Sequence, residues 1–351
     1  MGWRLKQLHR ILEKQNLNGL LISHQPNITY LTGFPSADSW LLTTPKKTFF
    51  ITDSRYYHQA KTSLKDVCIV SRSNSILTAA QELAKRAKIK RLGFEAKHLD
   101  VDKYQAAKKI FSPIRLISTK GLVEELRAIK SAEEINKIKK AVKITLQTLK
   151  HAQTILRPGI REIEIAAELE RFIRLKGART SSFEMIIASG KNSSFPHHQT
   201  SSRKLRKNDP LLLDIGVDYQ GYKSDLTRTF FLDRIPSKFA KIYGIVCQAQ
   251  TKAIKIIKPG IRISQIDKYA RQHIAKQGYE GFFGHNLGHG LGLEIHEKPY
   301  ICSRNNTLIK AGMIFTIEPG IYLPGEFGVR IEDNILVTND GYEVLGADFH
   351  K

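Results

Sequence analysis

The sequence predicts an α/β protein, with an α+β second part, organised as two domains. Three observations predict this class. Short apolar strands alternate with helical segments up to about residue 120, long amphipathic helices follow Leu122, and two motifs recur in the second part about 100 residues apart. A chain of 351 residues also agrees with two domains. We therefore expect a small α/β domain at 1–122 and a larger domain at 123–351.

The first domain is predicted from its alternating elements. Leu5–Gln15 has the apolar spacing of a helix, and the apolar run at 19–23 predicts the first strand. Two apolar runs at 40–52, separated by Pro45-Lys46-Lys47, predict a β-hairpin. The runs VCIVS, RLGFEA and IRLIS predict three more strands between helices.

The second domain is predicted to contain two related halves. It begins with a long amphipathic helix that includes the start signal Ser131-Ala-Glu-Glu. A basic residue followed by Pro-Gly-Ile-Arg occurs at 157–161 and again at 258–262, each time after a long helix. An apolar strand that ends in an acid close to a glycine occurs at 211–216 and again at 314–320. Since the period exceeds that of solenoid repeats, we expect two halves around a pseudo-twofold axis, with shared chemistry at their junction.

The composition excludes several classes of protein. A hydrophobic content of 41% and a mean hydropathy of −0.29 are typical of globular chains, not of disordered ones. No apolar run approaches the roughly 18–20 residues that span a bilayer, and the charged start lacks a signal peptide, so we expect no membrane partner and a cytoplasmic location. Cys68, Cys247 and Cys302 lie far apart and indicate neither a disulfide framework nor a thiolate zinc site.

The net charge raises the question of an anionic partner. The chain has 56 Lys and Arg against 33 Asp and Glu, a formal charge of +23. A charge of this size is compatible with nucleic-acid binding. The basic residues are nevertheless spread along the whole chain, so we expect a lysine-rich surface without a nucleic-acid partner.

Four acidic residues lie within or at the ends of apolar, strand-like segments; they are Asp214, Asp225, Glu318 and Glu332. A carboxylate buried there is unfavourable unless it is paired or bound to a cation. Each half contributes two, separated by a glycine-containing turn, so each pair is expected to meet across two antiparallel strands. Any one of them alone could be an ordinary surface acid, but four with matching flanks favour a metal site.

The run at 282–297, FFGHNLGHGLGLEIHE, combines glycines with His289 and His296. Glycines let the backbone approach a site closely. The spacing does not match the G-x-G-x-x-G loop of dinucleotide-binding proteins, and no obvious strand precedes it. His197 and His198 lie on a predicted polar loop, where a histidine by itself is usually solvent-exposed.

Five motifs in order resemble the metallopeptidases of the pita-bread fold, which include methionine aminopeptidases, Xaa-Pro aminopeptidases and Xaa-Pro dipeptidases. They are DIG, SDLTRT, GHGLGLEIHE, TIEPG and VRIEDN, and the resemblance covers about 125–351. NITYLTGF and DSRYYHQA resemble the additional N-terminal domain of the proline-specific branch and of creatinase. The resemblance implies a small creatinase-like α/β domain followed by a pseudo-twofold pita-bread catalytic domain.

The resemblance also implies roles for individual residues. The five metal ligands fall on Asp214, Asp225, His289, Glu318 and Glu332. They imply two divalent ions per subunit, for which we expect Mn²⁺, with Co²⁺, Fe²⁺ or Zn²⁺ as alternatives, because the ligands are rich in oxygen and lack thiolate.

Three catalytic roles follow from the same comparison. Glu318 is implied to transfer a proton between the metal-bound water and the leaving amine. His197 is implied to contact the scissile amide, and His296 to lie beside the carbonyl oxygen. His198 and His285 have weaker claims.

The N-terminal resemblance predicts specificity for proline. An Xaa-Pro bond is a tertiary amide without N–H, so it needs a dedicated site, and we expect hydrolysis of the Xaa-Pro bond at the N-terminus of peptides. Prolidase-like sequences commonly place an Arg directly after His-Glu-x-Pro, where a planar guanidinium suits the free proline carboxylate. Here Tyr300 follows Pro299, and Lys298 and Arg330 are the nearby cations. We therefore expect an aminopeptidase, with a dipeptidase as the alternative.

Two other functions are open to test. Members of the fold that have lost metal ligands act as non-enzymatic modules that bind nucleic acid or protein, and creatinase-like amidinohydrolases lack the metal set. The complete ligand set disfavours both. The proline-specific branch further implies a homodimer that acts on proline-containing peptides.

Overall fold

The computed structural model describes residues 2–35 and 37–347, and the chain divides after Arg127 into two compact units. Unit 1 comprises the residues up to Arg127, and unit 2 begins at Ala128. Met1 and Lys351, the outer ends of the two predicted domains, lie outside the described residues. Within the described ranges, no helix is long and apolar enough to cross a membrane.

Unit 1 contains a mixed β-sheet together with helices. Its helices are α1 (Trp3–Lys14), α2 (Gln25–Thr32), α3 (Ser54–Ser63), α4 (Ile76–Arg86), α5 (Val101–Ile110) and α6 (Leu122–Arg127). Its strands are β1 (Gly19–Ile22), β2 (Trp40–Thr43), β3 (Thr48–Thr52), β4 (Cys68–Ser71), β5 (Arg91–Glu95) and β6 (Arg115–Thr119). The strand order is β4-β3-β2-β1-β5-β6.

Local sequence signals account for the strands and helix starts of unit 1. Strands β2 and β3 pair antiparallel with Trp40 opposite Ile51, which confirms the predicted hairpin. Helices α3, α4 and α5 begin where the side chains of Asp53, Ser75 and Asp100 accept backbone N–H groups of the first turn. The runs predicted as further strands form β4, β5 and β6, which pair parallel with their neighbours.

Unit 2 has four longer helices, and its strands form several small sheets. The helices are α7 (Ala132–Ile155), α8 (Glu162–Leu175), α9 (Ser237–Lys255) and α10 (Ile263–Lys276). The strands of its first half are β7 (Thr180–Ser181), β8 (Ile186–Ser189), β9 (Pro210–Ile215), β10 (Val217–Tyr219), β11 (Tyr222–Lys223) and β12 (Leu226–Phe231). Those of its second half are β13 (Gly288–Gly290), β14 (Glu297–Ile301), β15 (Ile314–Ile317), β16 (Gly320–Leu323), β17 (Phe327–Arg330), β18 (Asp333–Val337) and β19 (Tyr342–Leu345).

The two halves of unit 2 repeat one arrangement. In the first half β9 pairs with β12 and the β10–β11 hairpin lies between them in sequence, and in the second half β15 pairs with β18 around the β16–β17 hairpin. Each half also supplies a pair of packed helices, α7 with α8 and α9 with α10. Gly159 and Gly260, in the repeated Pro-Gly motifs, have φ of 92° and 89°. A left-handed conformation of this kind favours glycine.

The core of unit 2 lies between the helices and the sheets. Ser131 caps α7 in a capping box with Glu134, as its sequence signal predicts. The apolar faces of α7 and α8 pack on β9, and those of α9 and α10 pack with β15 and β18 in a second cluster. This double core holds the strand ends that carry the predicted acidic ligands.

Candidate metal centre

Four predicted ligands lie where a long strand pair gives way to a hairpin. Asp214 lies on β9, Asp225 lies between β11 and β12, Glu318 lies between β15 and β16, and Glu332 lies between β17 and β18. The prediction of a simple two-stranded turn after Asp214 is incomplete, because the intervening β10–β11 hairpin joins β7 in a separate sheet. The two halves thus present equivalent carboxylates at equivalent strand ends.

These residues surround one cavity of about 610 Å³. Asp214, Asp225, His289, Glu318 and Glu332 all line it, and all but the half-buried Glu318 are buried. The remaining predicted site residues, His197, His198, His285 and His296, line the same cavity. Arg330, Phe183, Ile186, Ile295 and Tyr300 contribute further parts of the wall.

His289 lies among the carboxylates, and its Nε2 is in position to bind a metal ion. Its Nε2 is 3.5 Å from Asp225 Oδ2 and 3.3 Å from Glu318 Oε1. Its Nδ1 is 3.2 Å from the carbonyl oxygen of Gly290, to which it donates in the Nδ1–H tautomer. One ligand atom each of Asp225, His289 and Glu332 lies within 4.8 Å of the others. This is the spacing of atoms that share a metal ion.

Neighbouring side chains hold one oxygen of several predicted ligands. Arg330 Nη2 donates to Asp214 Oδ2 at 2.6 Å, and Thr227 Oγ1 donates to Glu332 Oε2 at 2.7 Å. Thr316 Oγ1 donates to Glu318 Oε1 at 3.0 Å. Such outer contacts orient metal ligands.

Three carboxylate oxygens without a partner in the described part of the chain give the strongest indication of a bound cation. Asp214 Oδ1, Asp225 Oδ1 and Glu332 Oε1 are buried and have no hydrogen-bond partner among the described residues. Buried polar atoms are almost always satisfied. Divalent cations would satisfy these three oxygens, so the residues present fit a metal centre.

The electrostatics of the cluster point the same way. Burial raises the pKa of Asp225 and of Glu332, and repulsion from neighbouring carboxylates raises both further. Burial also raises the pKa of Glu318. Since the charged forms are disfavoured without a counter-charge, a cation is the natural partner of this cluster.

The Arg330 side chain makes four hydrogen bonds within the described part of the site. Burial would lower its pKa, but Tyr322, Asp214 and Glu318 raise the pKa well above the usual value, so the guanidinium stays charged. Its nitrogens donate to Thr227, Tyr322, the Pro196 carbonyl and Asp214. It therefore supports the predicted ligand Asp214.

The histidines of the cavity have distinct surroundings. The His296 ring meets the His289 ring edge to face at 4.1 Å, and burial and the neighbouring imidazoles lower the pKa of His296 to about 4. His197 is exposed to the cavity and makes no side-chain hydrogen bond within the described part of the chain. His198 Nε2 lies 2.9 Å from Glu162 Oε2, so its ring has a structural partner. Burial lowers the pKa of His285 to about 4, and its Nε2 lies 3.0 Å from the Tyr322 hydroxyl.

Glycines allow the strands of the site to approach one another. A Cβ atom at Gly288 would lie 1.9 Å from the carbonyl oxygen of Thr316, and one at Gly290 would lie 2.3 Å from that of Lys298. Both positions flank His289. The glycine-rich run thus serves close packing of β13 between β14 and β15.

Several supporting residues were not predicted from the sequence. Thr227 and Thr316 donate to predicted ligands and lie within the SDLTRT and TIEPG motifs, but nothing in those motifs marks them as donors. Tyr322, which accepts from Arg330, and Glu162, which accepts from His198, belong to no motif. Arg330 did carry a signal, because it lies two positions before Glu332 and alternate residues of an extended chain share a face.

A buried ion pair, Lys130 Nζ to Glu297 Oε1 at 2.9 Å, anchors the residue that follows His296.

The chain is similar throughout to known peptidases. Residues 136–339 match metallopeptidase family M24, and residues 4–129 match the creatinase/prolidase N-terminal domain. An uncharacterized peptidase of Bacillus subtilis, YqhT, is 39% identical over 342 residues, which cover 97% of each chain. The two domain matches confirm the resemblance inferred from the motifs.

Two solved structures give the same picture. An Xaa-Pro dipeptidase from Bacillus anthracis superposes with a TM-score of 0.96 at 38% identity, covering 99% of this chain and 98% of that one. An X-Pro aminopeptidase from Thermotoga maritima superposes with a TM-score of 0.88 at 33% identity, covering 95% of this chain and 96% of that one.

Proposed function

Because this chain belongs to metallopeptidase family M24 and carries the creatinase/prolidase N-terminal domain, we propose that it is a metal-dependent exopeptidase that hydrolyses the Xaa-Pro bond at the N-terminus of peptides. The observation that carries the proposal is the cluster of four carboxylates and one imidazole around one cavity, with three buried carboxylate oxygens that have no partner among the described residues. The names of the similar dipeptidase and aminopeptidase support proline as the second residue of the substrate.

We assign the metal to Asp214, Asp225, His289, Glu318 and Glu332. When ionised, these four carboxylates and the Arg330 guanidinium sum to a charge of −3, which one divalent ion changes to −1 and two change to +1. The family resemblance implies two ions. Mn²⁺ is the expected ion, with Co²⁺, Fe²⁺ or Zn²⁺ as alternatives. When bound, such ions polarise a carbonyl group and lower the pKa of a bound water molecule toward neutrality.

The remaining chemistry falls to side chains of this chain. Hydrolysis adds the water oxygen to the carbonyl carbon, breaks the C–N bond and delivers a proton to the proline nitrogen. Glu318 is held through Oε1 by Thr316, which leaves its other oxygen to carry that proton. His296, neutral because of its low pKa, donates one N–H toward the carbonyl oxygen, and His197 contacts the scissile amide.

A specific experiment tests the bond and the metal together. The products of Ala-Pro-Ala and Ala-Ala-Ala are identified by mass spectrometry before chelation, after exhaustive chelation and after return of Mn²⁺. The proposal requires free alanine and Pro-Ala from the first peptide only, with activity lost on chelation and restored by Mn²⁺. Equal cleavage of both peptides, or unchanged activity after chelation, would contradict it.

We expect the aminopeptidase activity to exceed the dipeptidase activity. A dipeptidase needs a cation for the free proline carboxylate, and Arg330, the one arginine among the described residues that line the cavity, is already bound to Asp214 and Tyr322. The high similarity to the dipeptidase from Bacillus anthracis favours the second candidate, a prolidase.

Substrate length separates these two candidates. The ratio kcat/KM for Ala-Pro-Ala should equal or exceed that for Ala-Pro. A tenfold preference for Ala-Pro, about 1.4 kcal/mol of transition-state binding, would instead establish a carboxylate-binding group and the dipeptidase.

We also propose a homodimer in the cytoplasm. The family resemblance supports the dimer, and the lack of a disulfide among Cys68, Cys247 and Cys302 in the described part of the chain supports a reducing compartment. Sedimentation at micromolar concentration should give the mass of two chains, and a monomer would contradict the dimer.

A further inference from the structure

Glu162 is a buried carboxylate to which the proposed mechanism gives no part. It is the first residue of α8, and its side chain is fully buried, with 0% exposure. Burial would raise its pKa, but hydrogen bonds from Ser189, Ser201 and His198 outweigh burial and lower the pKa. A buried charge of this kind needs strong compensation, which its neighbours supply.

Six donor groups among the described residues converge on this carboxylate. Oε1 accepts from Ser189 N at 2.8 Å, from Ser189 Oγ at 2.6 Å and from Asn192 Nδ2 at 3.1 Å. Oε2 accepts from His198 Nε2 at 2.9 Å, from Ser201 N at 3.1 Å and from Ser201 Oγ at 2.6 Å. All six donors belong to residues 189–201, and we call this segment the histidine loop.

The histidine loop carries His197, and its neighbours on both sides are fixed. Arg330 donates to the carbonyl oxygen of Pro196 at 3.2 Å, and Glu162 accepts from the ring of His198. His197 makes no side-chain hydrogen bond of its own in the described ranges. Its position in the cavity therefore depends on the contacts of the residues beside it.

We propose that Glu162 is the positioning residue of His197, acting through the histidine loop. The proposal rests on the proposed function, in which His197 contacts the scissile amide. A glutamine at this position has nearly the same shape, but an NH2 group replaces one of the two oxygens. This group only donates hydrogen bonds, so it cannot accept the three that the oxygen accepts. The loop loses its anchor on that side, and a displacement of about 1 Å at a catalytic group can cost about 100-fold in rate.

The chain offers a matched control. Glu164 lies on the same first turn of α8 but is exposed, and among the described residues its side chain accepts only the backbone N–H of Arg161, in a capping box. Glu164→Gln preserves that box, because glutamine serves equally well there. Ser201→Ala supplies a milder test of the anchor, since it removes one donor and leaves the Glu162 carboxylate in place.

The activity test is a double-mutant cycle with His197→Ala, read as kcat/KM on Ala-Pro-Ala. Glu162→Gln should lower kcat/KM at least tenfold in the otherwise unchanged protein and less than twofold in the His197→Ala background. Ser201→Ala should show the same dependence on His197 with a smaller loss, and Glu164→Gln should change nothing. Equal losses in both backgrounds, or no loss at all, would overturn the proposal.

Hydrogen exchange gives a readout that needs no activity. In Glu162→Gln the amides of the histidine loop should exchange at least tenfold faster, while those of β12 keep their rates, and Glu164→Gln should match the unchanged protein. Unaltered exchange of the loop in Glu162→Gln would overturn the positioning role even in an active enzyme. If the unchanged protein cleaves no Xaa-Pro peptide, the proposed function fails, while the exchange result still decides whether Glu162 holds the loop.

Discussion

Of the four acidic residues assigned to the metal, Asp214, Glu318 and Glu332 each have one oxygen held by an outer donor. Asp214, Asp225 and Glu332 each have one oxygen without a partner among the described residues. Arg330, Thr227 and Thr316 are the outer donors. Fixing one oxygen orients the other, so the outer contacts prepare the ligands for a cation before it binds. The site is therefore organised by its own protein contacts.

Asp225 tests the ligand role most simply. Asp225→Asn keeps the side-chain volume but removes the charge, so we expect Mn²⁺ affinity, measured by isothermal titration calorimetry, to fall by at least about 100-fold, the upper end of the loss for outer-shell partners. The metal-free variant should be at least as stable toward urea, since a buried repelled carboxylate is lost. Asp233→Asn, at an exposed aspartate paired with Lys207, serves as the control. Unchanged Mn²⁺ affinity in Asp225→Asn would remove Asp225 from the ligand set.

Arg330 tests the outer contacts. Arg330→Lys retains the charge but cannot reproduce the fork that joins Asp214, Tyr322 and Thr227. We expect kcat/KM on Ala-Pro-Ala to fall about 10- to 100-fold, and the exposed Arg304→Lys to have no effect. A variant as active as the unchanged protein would show that charge alone suffices at this position.

The sequence predicts those site residues that a short local pattern marks. Asp214, Asp225, Glu318 and Glu332 were recognisable because each lies at the end of an apolar strand and because the flanks recur. Their outer donors were not recognisable, since residue type and alternation define the face of a strand but not its partner. The sequence indicates Arg330 only as a cation near the site that could bind the substrate carboxylate. Its hydrogen bond to Asp214 forms only in the folded chain.

At the scale of elements, close approach of strands places His289. A Cβ at Gly288 would lie 1.9 Å from the carbonyl oxygen of Thr316, which belongs to the backbone of β15 and cannot rotate away. We expect Gly288→Ala to lower the free energy of unfolding by about 3 kcal/mol or more, measured by urea unfolding. Gly281→Ala, where nothing lies within 4 Å of the new atom, should stay within about 0.5 kcal/mol. Equal stability of the two variants would contradict the packing described for β13.

A second element contact lies in unit 1, where Glu95 joins the end of β5 to the start of α2. Its Oε2 accepts the backbone N–H groups of Ser23 and His24, and its Oε1 accepts from Asn27 at 2.6 Å. Burial raises the pKa of Glu95, and these hydrogen bonds offset part of that rise. The protonated form of Glu95 is therefore favoured more in the folded protein than in the unfolded chain.

This contact predicts a pH dependence with a definite sign. The pKa of the Glu95 carboxyl group is higher in the folded protein than its value of about 4.5 in the unfolded chain. Its contribution to stability is therefore fully present below pH 4.5 and is lost as the pH rises through the pKa of the folded protein. We expect the melting temperature of the unchanged protein to fall, relative to Glu95→Gln, as pH increases over this interval. A constant difference between the two proteins at all pH values would refute the raised pKa.

At the scale of the molecule, duplication explains how a short list of motifs forms one site. Two halves of the same element order each bring two acids to a strand end, and β13 adds the imidazole between them. The duplication was visible in the sequence because both halves retain the Pro-Gly turns and the acidic strand ends. The Glu162 contacts were not visible, because they join residues 27 to 39 positions apart that no motif links.

We propose that this cavity hydrolyses Xaa-Pro bonds and needs bound divalent metal to do so. The most direct measurement is a titration of the metal-free protein with Mn²⁺, following the release of alanine from Ala-Pro-Ala after each addition. We expect no activity without metal and a rise that ends at two ions per chain. Full activity in protein shown by elemental analysis to be metal-free, or no activity at any amount of metal, would contradict it.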